Sequence, residues 1–400
     1  MALTDYKVAF DNSYQEIFNK TLVAKDIMNM RLEPMLTYGG SVTRVAMDLS
    51  AVLVRSTVRG NASTIDSITD TAETLTVNLE KETAFYLSDG EVTQTGPLKA
   101  MEFAGKNIAR KLAIDLDGRC FAEVLNASFS FDNGDLTTGI SSGTAITLSS
   151  TTVPQMVTRL GAKLRNKNNQ EVMTNMALVV DSYAASDISQ FIISKNIDLA
   201  GATFKNGYVG DVSTAQMYIS ENLASTSVLS IATTPTDGDT VTIGGVVFTF
   251  KTTLGSTAGN VAIAGSADAA RLNLSELINA PGTTDAGQVA LSAANQIIMA
   301  QYVAVDVAAA DTMTVNGTGT GRTLVSETLT DATDTWTKNF INAYYGKKGA
   351  IDLVVQDQKE VDIRQTSDRR GNNIFSSYLA GIKTFADGAK KFLNVKILVA

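Results

Sequence analysis

Of the side chains that most often carry chemistry near neutral pH, this sequence has almost none: its 400 residues include no histidine and one cysteine. Without histidine, the commonest general base and the commonest nitrogen ligand for a metal are both missing. Most hydrolase and metal-site templates fall with them. Cys120 can form neither an internal disulfide nor a cysteine-cluster zinc site, and its setting, DLDGRCFAEVL, is apolar and helix-like, which places the thiol in a core. Carboxylates remain. Paired acids can hydrolyse glycosides without histidine, but such enzymes hold sugars on exposed aromatics, and the chain has one tryptophan, Trp336. Asp237, Asp239 and Asp311 lack an EF-hand spacing and read as surface turns. The glycine-rich NGTGTGR at Asn316 to Arg322 lacks the GK[ST] ending and the strand-to-helix setting of a phosphate loop, so it reads as a plain loop. These residues predict no catalytic group, no cofactor and no metal.

Composition bounds what the elements around those residues can be. At this length two or three lobes are expected, each with a sizeable core. A hydrophobic fraction of 44% with 18% charged residues describes a folded chain, not a disordered one. The formal net charge of −8 argues against general nucleic-acid binding, which needs clustered Lys and Arg. The first twenty residues alternate polar and apolar without the apolar core of a signal peptide, and no run approaches the ~18 apolar residues of a membrane helix. The chain is expected to be made and used in a cytoplasm.

Helical spacing at Phe10, Tyr14, Ile17, Phe18 and Leu22 predicts an arm with one short helix, broken at Pro34 and Gly39-Gly40. Two stretches of period-two, β-branched sequence follow, Ser41 to Arg59 and Thr71 to Leu87, joined across Gly60-Asn61-Ala62-Ser63. They predict a long two-stranded excursion carrying Arg44, Arg55, Arg59, Glu73, Glu80, Lys81 and Glu82. A hairpin of that length cannot bury its own apolar face. It needs a partner surface, and these charges are candidate contacts to it. Leu98 to Leu125 has the pattern of one helix of about seven turns. The DNGDLTTGISSGTAITLSS stretch after it reads as loop and short strand. Thr152 and Pro154 then open a second helix with Val157, Leu160 and Leu164 inward.

Beyond that point short strands alternate with helices: Ala177 to Val180, a cap at Asp181-Ser182, a helix from Tyr183 to Ile193, and a strand at Met217 to Ser220. The same style returns at Ala350 to Val355 and Val395 to Val399. Between them, about Val228 to Thr337 is rich in Thr, Ala and Gly and carries three basic residues against ten acidic ones, a net of −7. DGDTVTIGGVVFTF opens it, with Val241 and Ile243, then Val246, Phe248 and Phe250, on either side of Gly244-Gly245, a strong hairpin pattern. One helix precedes Pro281, and strands are expected at Tyr302 to Val307 and Met313 to Val315. From Lys338 onward eleven basic residues face six acidic ones. Arg364, Arg369, Arg370, Lys390 and Lys391 there are read as solvated surface or as contacts to an acidic neighbour.

The order arm, long β-excursion, long helix, then an α/β layer reaching the C-terminus resembles the Hong Kong 97 fold of tailed-bacteriophage major capsid proteins. The wording of ALVVDSYAASDISQFI and of QDQKEVDIRQTSDRRGNNIFSSYLAGIKTFADGAKKFLNVKILV is similar to segments of that family's axial domain. The acidic stretch with its DGDTVTIGG opening resembles a β-rich module of phage structural proteins. The resemblance implies an α+β chain with an arm at 1–40, an E-loop at 41–95, a peripheral domain with a spine helix at 96–150, an axial domain at 151–227 and 338–400, and an inserted β-rich domain at 228–337.

It further implies a non-enzymatic subunit that self-assembles into hexamers and pentamers of an icosahedral head around double-stranded DNA, located in the virion and assembled in a bacterial cytoplasm. Copies of itself, the portal, a separate scaffolding protein and decoration proteins are the partners this reading carries. Some family members join a lysine to an asparagine between subunits; Lys81 sits on the excursion, but no spacing identifies a partner for it. Two other readings stand beside this one: a tail-tube subunit, which would be predominantly β, and a carboxylate-dependent glycosidase.

Overall fold

The computed structural model describes residues 22–36, 40–48, 55–56, 65–66, 69–90, 97–167, 174–195, 208–212, 215–365 and 370–399. The arm helix expected around Phe10 to Phe18 and the expected turn at Gly60 to Ser63 lie outside these residues. The chain is α+β, and its contacts group into two units.

The first unit takes its described residues from 27–113 and 349–391. Strand β1 (Ser41–Asp48) pairs antiparallel with β2 (Thr69–Thr76), Ser41 opposite Thr76 and Asp48 opposite Thr69. The sequence reading ran one strand from Thr71 to Leu87. The structure breaks it at Val77-Asn78, and β3 (Leu79–Ser88) leaves the ribbon for a three-stranded sheet. Segregation explains the break: Leu75 is fully buried beside Leu36, Val354 and Phe385, with Val42 and Val77 packed on them, so the strand turns where this small core ends. Gly381 allows the close pass, since a Cβ there would stand 2.7 Å from the Thr76 carbonyl oxygen.

Helix α1 (Pro97–Ala122) is the long helix expected at Leu98 to Leu125, with a 3-10 turn at Glu123–Asn126 completing the stretch. Its residues up to Ala113 group with the first unit and those from Ile114 with the second. Cys120 is fully buried, and burial, with the charges of Asp117 and Glu123 adding, holds its thiol well above its ordinary range.

The second unit continues with β4 (Phe129–Phe131) and α2 (Asn133–Thr137), a single turn in a stretch expected to be loop and short strand. A capping box makes that turn: Asp132 accepts from the Gly134 N–H at 3.0 Å, and Asp135 accepts from the Asp132 N–H at 3.0 Å. Helix α3 (Thr152–Lys167) follows, burying Val153, Met156, Leu160 and Leu164. Then come β5 (Met176–Val180), α4 (Ser182–Lys195), β6 (Tyr208–Val212), β7 (Ala215–Ile219) and β8 (Ala224–Ser230). The Asp181 side chain accepts from the Ala184 N–H at 3.2 Å, which caps α4 as its position predicts.

The expected hairpin forms as β9 (Thr240–Ile243) and β10 (Val246–Lys251), with Gly244 and Gly245 at φ +57° and +84°, the left-handed pair a two-residue turn requires. Then follow β11 (Asn260–Ala262), α5 (Ala267–Asn279), α6 (Ala293–Met299), β12 (Tyr302–Val307), β13 (Thr312–Gly317), β14 (Val325–Glu327) and β15 (Trp336–Lys347). Residues 229–336 have a core of their own, including Val241, Phe248, Phe250, Leu274 and Met313. Two of their strands nevertheless belong to a larger sheet ordered β12-β13-β8-β15-β5-β7-β6.

The chain closes with β16 (Asp352–Gln365), β17 (Gly371–Lys383), the single turn α7 (Ala386–Ala389) and β18 (Phe392–Leu398). The three-stranded sheet is ordered β16-β17-β3, and β18 joins the larger sheet between β15 and β4. This corrects the placement of 338–400 in one layer: residues 349–391 belong to the first unit, while 338–348 and 392–400 belong to the second. The sequence of Ala350 to Val355 gives its strand but not its sheet.

The core of residues 229–336 is closed by a fully buried arginine. Arg271 donates to the Ile231 carbonyl at 2.7 Å and to Asp268 at 2.6 Å, and pairs closely with Asp306. Removing one partner of a buried pair leaves the other charge uncompensated. Arg271→Ala is therefore expected to destabilise the chain by about 3–5 kcal/mol, measured by urea unfolding.

Candidate self-association surfaces

The two faces of the β1–β2 ribbon differ. On the inner face Val42 opposes Leu75 and Arg44 opposes Glu73. Arg44 stacks on Phe385, with its guanidinium carbon 4.6 Å from the ring centroid, and reaches Asp352 and Asp387, each at 3.5 Å. Glu73 accepts from the Ala386 N–H at 2.9 Å, at the start of α7. Burial pushes the Asp352 carboxyl above its ordinary range, against the Asn29 hydrogen bond and the Arg44 charge. Desolvation acts likewise on Asp387 but is outweighed by its bond to Lys391 and by the Lys391 and Arg44 charges, which bring it below that range. Arg44 and Glu73, candidates for contacts between subunits, thus anchor the ribbon to its own chain.

On the outer face no such anchor is seen among the described residues. Val45 is 64% exposed there, beside the hydroxyl pair Thr43–Thr74. In the sequence between the two strands, Arg55 and Asp66 form a two-bond ion pair at 2.6 and 2.7 Å, and Ile65, the neighbour of Asp66 in the chain, is 91% exposed. An isoleucine in that position loses the stabilisation of burial, about 1.5–3 kcal/mol for a fully covered side chain.

A groove of about 430 Å³ runs between β3 and α1, lined by Thr83, Ala84, Phe85, Ala104, Asn107, Ile108 and Lys111. Its wall is mostly apolar. The buried hydroxyl of Thr83 finds no hydrogen-bond partner among the described residues. Beside it on β3, Glu80, Lys81 and Glu82 are exposed.

The remaining predicted charges are scattered. Arg364 pairs with Asp362 at 2.8 Å and lies 5.0 Å from the Phe375 ring centroid. Arg370 is exposed, and its carbonyl accepts from the Tyr86 hydroxyl at 2.6 Å. Arg59 and Arg369 lie outside the described residues. Reading by charge missed Ile65 and the groove. The signal for Ile65 was one large apolar residue in the otherwise small and polar NASTIDS, whereas the groove joins residues of two distant segments and has no local pattern.

The other candidates resolve as architecture. In NGTGTGR, Gly319 stands at φ +66° against Gly118 of α1, where a Cβ on Gly118 would come within 2.6 Å of the Gly319 Cα. Arg322 pairs closely with Asp181 and stacks on Tyr183. Asp237 accepts from the Thr252 N–H at 2.8 Å, across the base of the β9–β10 hairpin, and Asp239 accepts from the Thr236 N–H at 2.8 Å within its own turn. Among the described residues no group of three or more Cys, Asp or Glu could hold a metal ion, and no helix is long and apolar enough to cross a membrane.

No family model and no curated protein matches the sequence. Among solved structures, the chain is similar to one from Mycobacterium phage Che8, at 14% identity and a TM-score of 0.47, covering 93% of this chain and 90% of that one. It is similar to a chain in the capsid of cyanophage P-SCSP1u, at 10% identity and a TM-score of 0.44, over 95% and 88% of the two chains. It is also similar to one in the capsid of Ralstonia phage GP4, at 7% identity and a TM-score of 0.43, over 93% and 87%.

Anchoring of the ribbon at Arg44 has a direct consequence. Arg44→Ala removes the stack on Phe385 and both ion pairs, so limited proteolysis between residues 41 and 76 is expected to run several-fold faster. The unfolding midpoint should change little, because the pairs are partly exposed.

Proposed function

We propose that this chain is a major capsid protein of a tailed bacteriophage, a non-enzymatic subunit that works by binding copies of itself. The observation that carries the reading is the β1–β2 ribbon, anchored to its own chain on one face and presenting Val45 on the other, with an exposed Ile65 in the sequence between its two strands. A ribbon of two strands is marginal in water unless its apolar residues are covered. The β3–α1 groove of a neighbouring copy offers the matching surface: a mostly apolar wall, a buried hydroxyl without a partner among the described residues, and exposed charges at its margin.

In this reading the ribbon and the residues that continue it, 41–95, are the E-loop, α1 is the spine, and residues 228–337 are an insertion in the axial domain. Glu80, Lys81, Glu82, Arg364 and Arg370 are the charges available for contacts between subunits. Repeated contacts of modest strength would assemble hexamers and pentamers into a closed icosahedral shell. Double-stranded DNA would be enclosed without sequence-specific binding, as a net charge of −8 suits. The portal, a separate scaffolding protein and decoration proteins are the further partners proposed, with the virion as destination and the host cytoplasm as the place of assembly.

Ile65→Asp tests this directly, because a side chain 91% exposed contributes little to the fold of the single chain. Negative-stain electron microscopy with light scattering, on the chain coexpressed with its neighbouring phage proteins, should show closed shells or ring-shaped hexamers for the unsubstituted chain. The variant should give soluble, folded, unassembled subunits. Uniform tubes would move the protein to the tail, and a monomer under all conditions would overturn the proposal.

A further inference from the structure

The β3–α1 groove holds more polar chemistry than an apolar contact needs. Its helical wall is the stripe Ala104, Asn107, Ile108 and Lys111, spaced three and four positions apart and so aligned on one face of α1. Its other wall is the strand segment Thr83 to Phe85. Alternation along β3 sorts the neighbouring charges: Lys81 shares a face with Thr83 and Phe85, whereas Glu80 and Glu82 belong to the opposite face. Burial follows the same period, with Leu79, Thr83 and Phe85 half-buried and Glu80, Glu82 and Ala84 exposed.

The side of β3 turned to the groove therefore adds a cation, and the carboxylates of the strand lie away from it. Neither Lys81 nor Lys111 makes an ion pair among the described residues. The Thr83 hydroxyl is buried and has no hydrogen-bond partner among them. Three kinds of group thus meet in one recess of about 430 Å³, a volume within the range of small-molecule sites: an apolar wall of Phe85, Ala104 and Ile108, a hydroxyl lacking a partner, and an unpaired ammonium. One chemical class is complementary to all three, an apolar carboxylate. Its chain removes the wall from water, and its oxygens accept from Thr83 and Lys111 in charge-assisted bonds. An amine of the same shape would meet like charge.

We propose that the β3–α1 groove of an unassembled subunit is a binding site for a small apolar carboxylate, its chain against Phe85 and Ile108 and its head group at Thr83 and Lys111. Under the proposed function the ligand occupies the surface that receives the neighbour's ribbon, so it competes with assembly. That consequence rests on the proposed function. Binding to the single chain does not.

The test uses unassembled full chain, in its Ile65→Asp form where the unsubstituted chain builds shells, titrated at low salt with octanoate and, separately, with octylammonium. Saturation-transfer NMR and calorimetry should show octanoate binding saturably in the millimolar range, as its size allows, and octylammonium binding about tenfold more weakly. Lys111→Glu, at an exposed position where the fold is little affected, should abolish that preference. Lys390→Glu makes the same change of net charge at an exposed position away from the groove and should leave the preference intact. Absence of saturable octanoate binding, equal binding of the two ions, or the same loss in Lys390→Glu as in Lys111→Glu would overturn the site. Shell formation is read separately by microscopy, so the site and the proposed function can each fail alone.

Discussion

Pairing between β3 and β17 sets residues 79–88 against residues 371–380, and what the first unit can present follows from it. Because β3 is drawn into the sheet with β17 and β16, the ribbon left behind is only β1 and β2, too narrow to close over its own apolar residues. Its inner face is claimed by Leu36, Val354 and Phe385. Among the described residues of this unit, Val45 on the outer face and the β3–α1 groove leave apolar surface open. Under the proposed function, self-association covers both, since every copy supplies both halves, as in a heterologous contact.

The second unit depends on β15 in a comparable way. Its first half pairs with β8 and its last residues with β5, while β18 runs along its other edge. Side chains reinforce the junction. Asn394 donates to Asn342, Asn342 to Thr226, and Thr226 to Asn316, at 2.9, 2.9 and 2.8 Å, a polar ladder across β18, β15, β8 and β13. Within a buried sheet these groups must find each other or go unsatisfied. The ladder therefore fixes the register of the acidic residues' strands against the strands that flank them, which explains how a stretch with its own core shares a sheet with its surroundings.

Most elements were legible from local pattern, and their partners were not. The Gly244-Gly245 hairpin, the long helix and the Asp181 cap follow from residues within a few positions of one another, and each stands where its sequence puts it. The division of 71–88 into two strands, and the transfer of 349–391 to the first unit, turn on which distant segment each strand pairs with. Period-two sequence says that a strand has a face; it does not say which sheet receives it. The same limit applied to the candidate surface. Charges on the excursion were visible, but whether Arg44 turned outward or onto Phe385 depended on a residue more than three hundred positions away. Glycine-rich NGTGTGR shows the converse: its composition suggested a loop, and only the close approach of Gly319 to Gly118 says why glycine is needed there.

Charge then constrains how copies could meet. The three basic residues of 228–337 are all engaged within the chain, Lys251 with Asp237, Arg271 with Asp268 and Asp306, and Arg322 with Asp181. The field this region presents outward is consequently acidic, and two copies approaching through it repel. That repulsion acts over about 8 Å at physiological ionic strength, so it discourages contact between like acidic regions while leaving short-range apolar contact unopposed. Under the proposed function, the attraction between subunits must therefore come from the uncharged Val45 and Ile65 meeting the groove, with Glu80, Lys81 and Glu82 setting register at its margin. Apolar burial supplies the affinity, and the acidic surface restricts where it can be used.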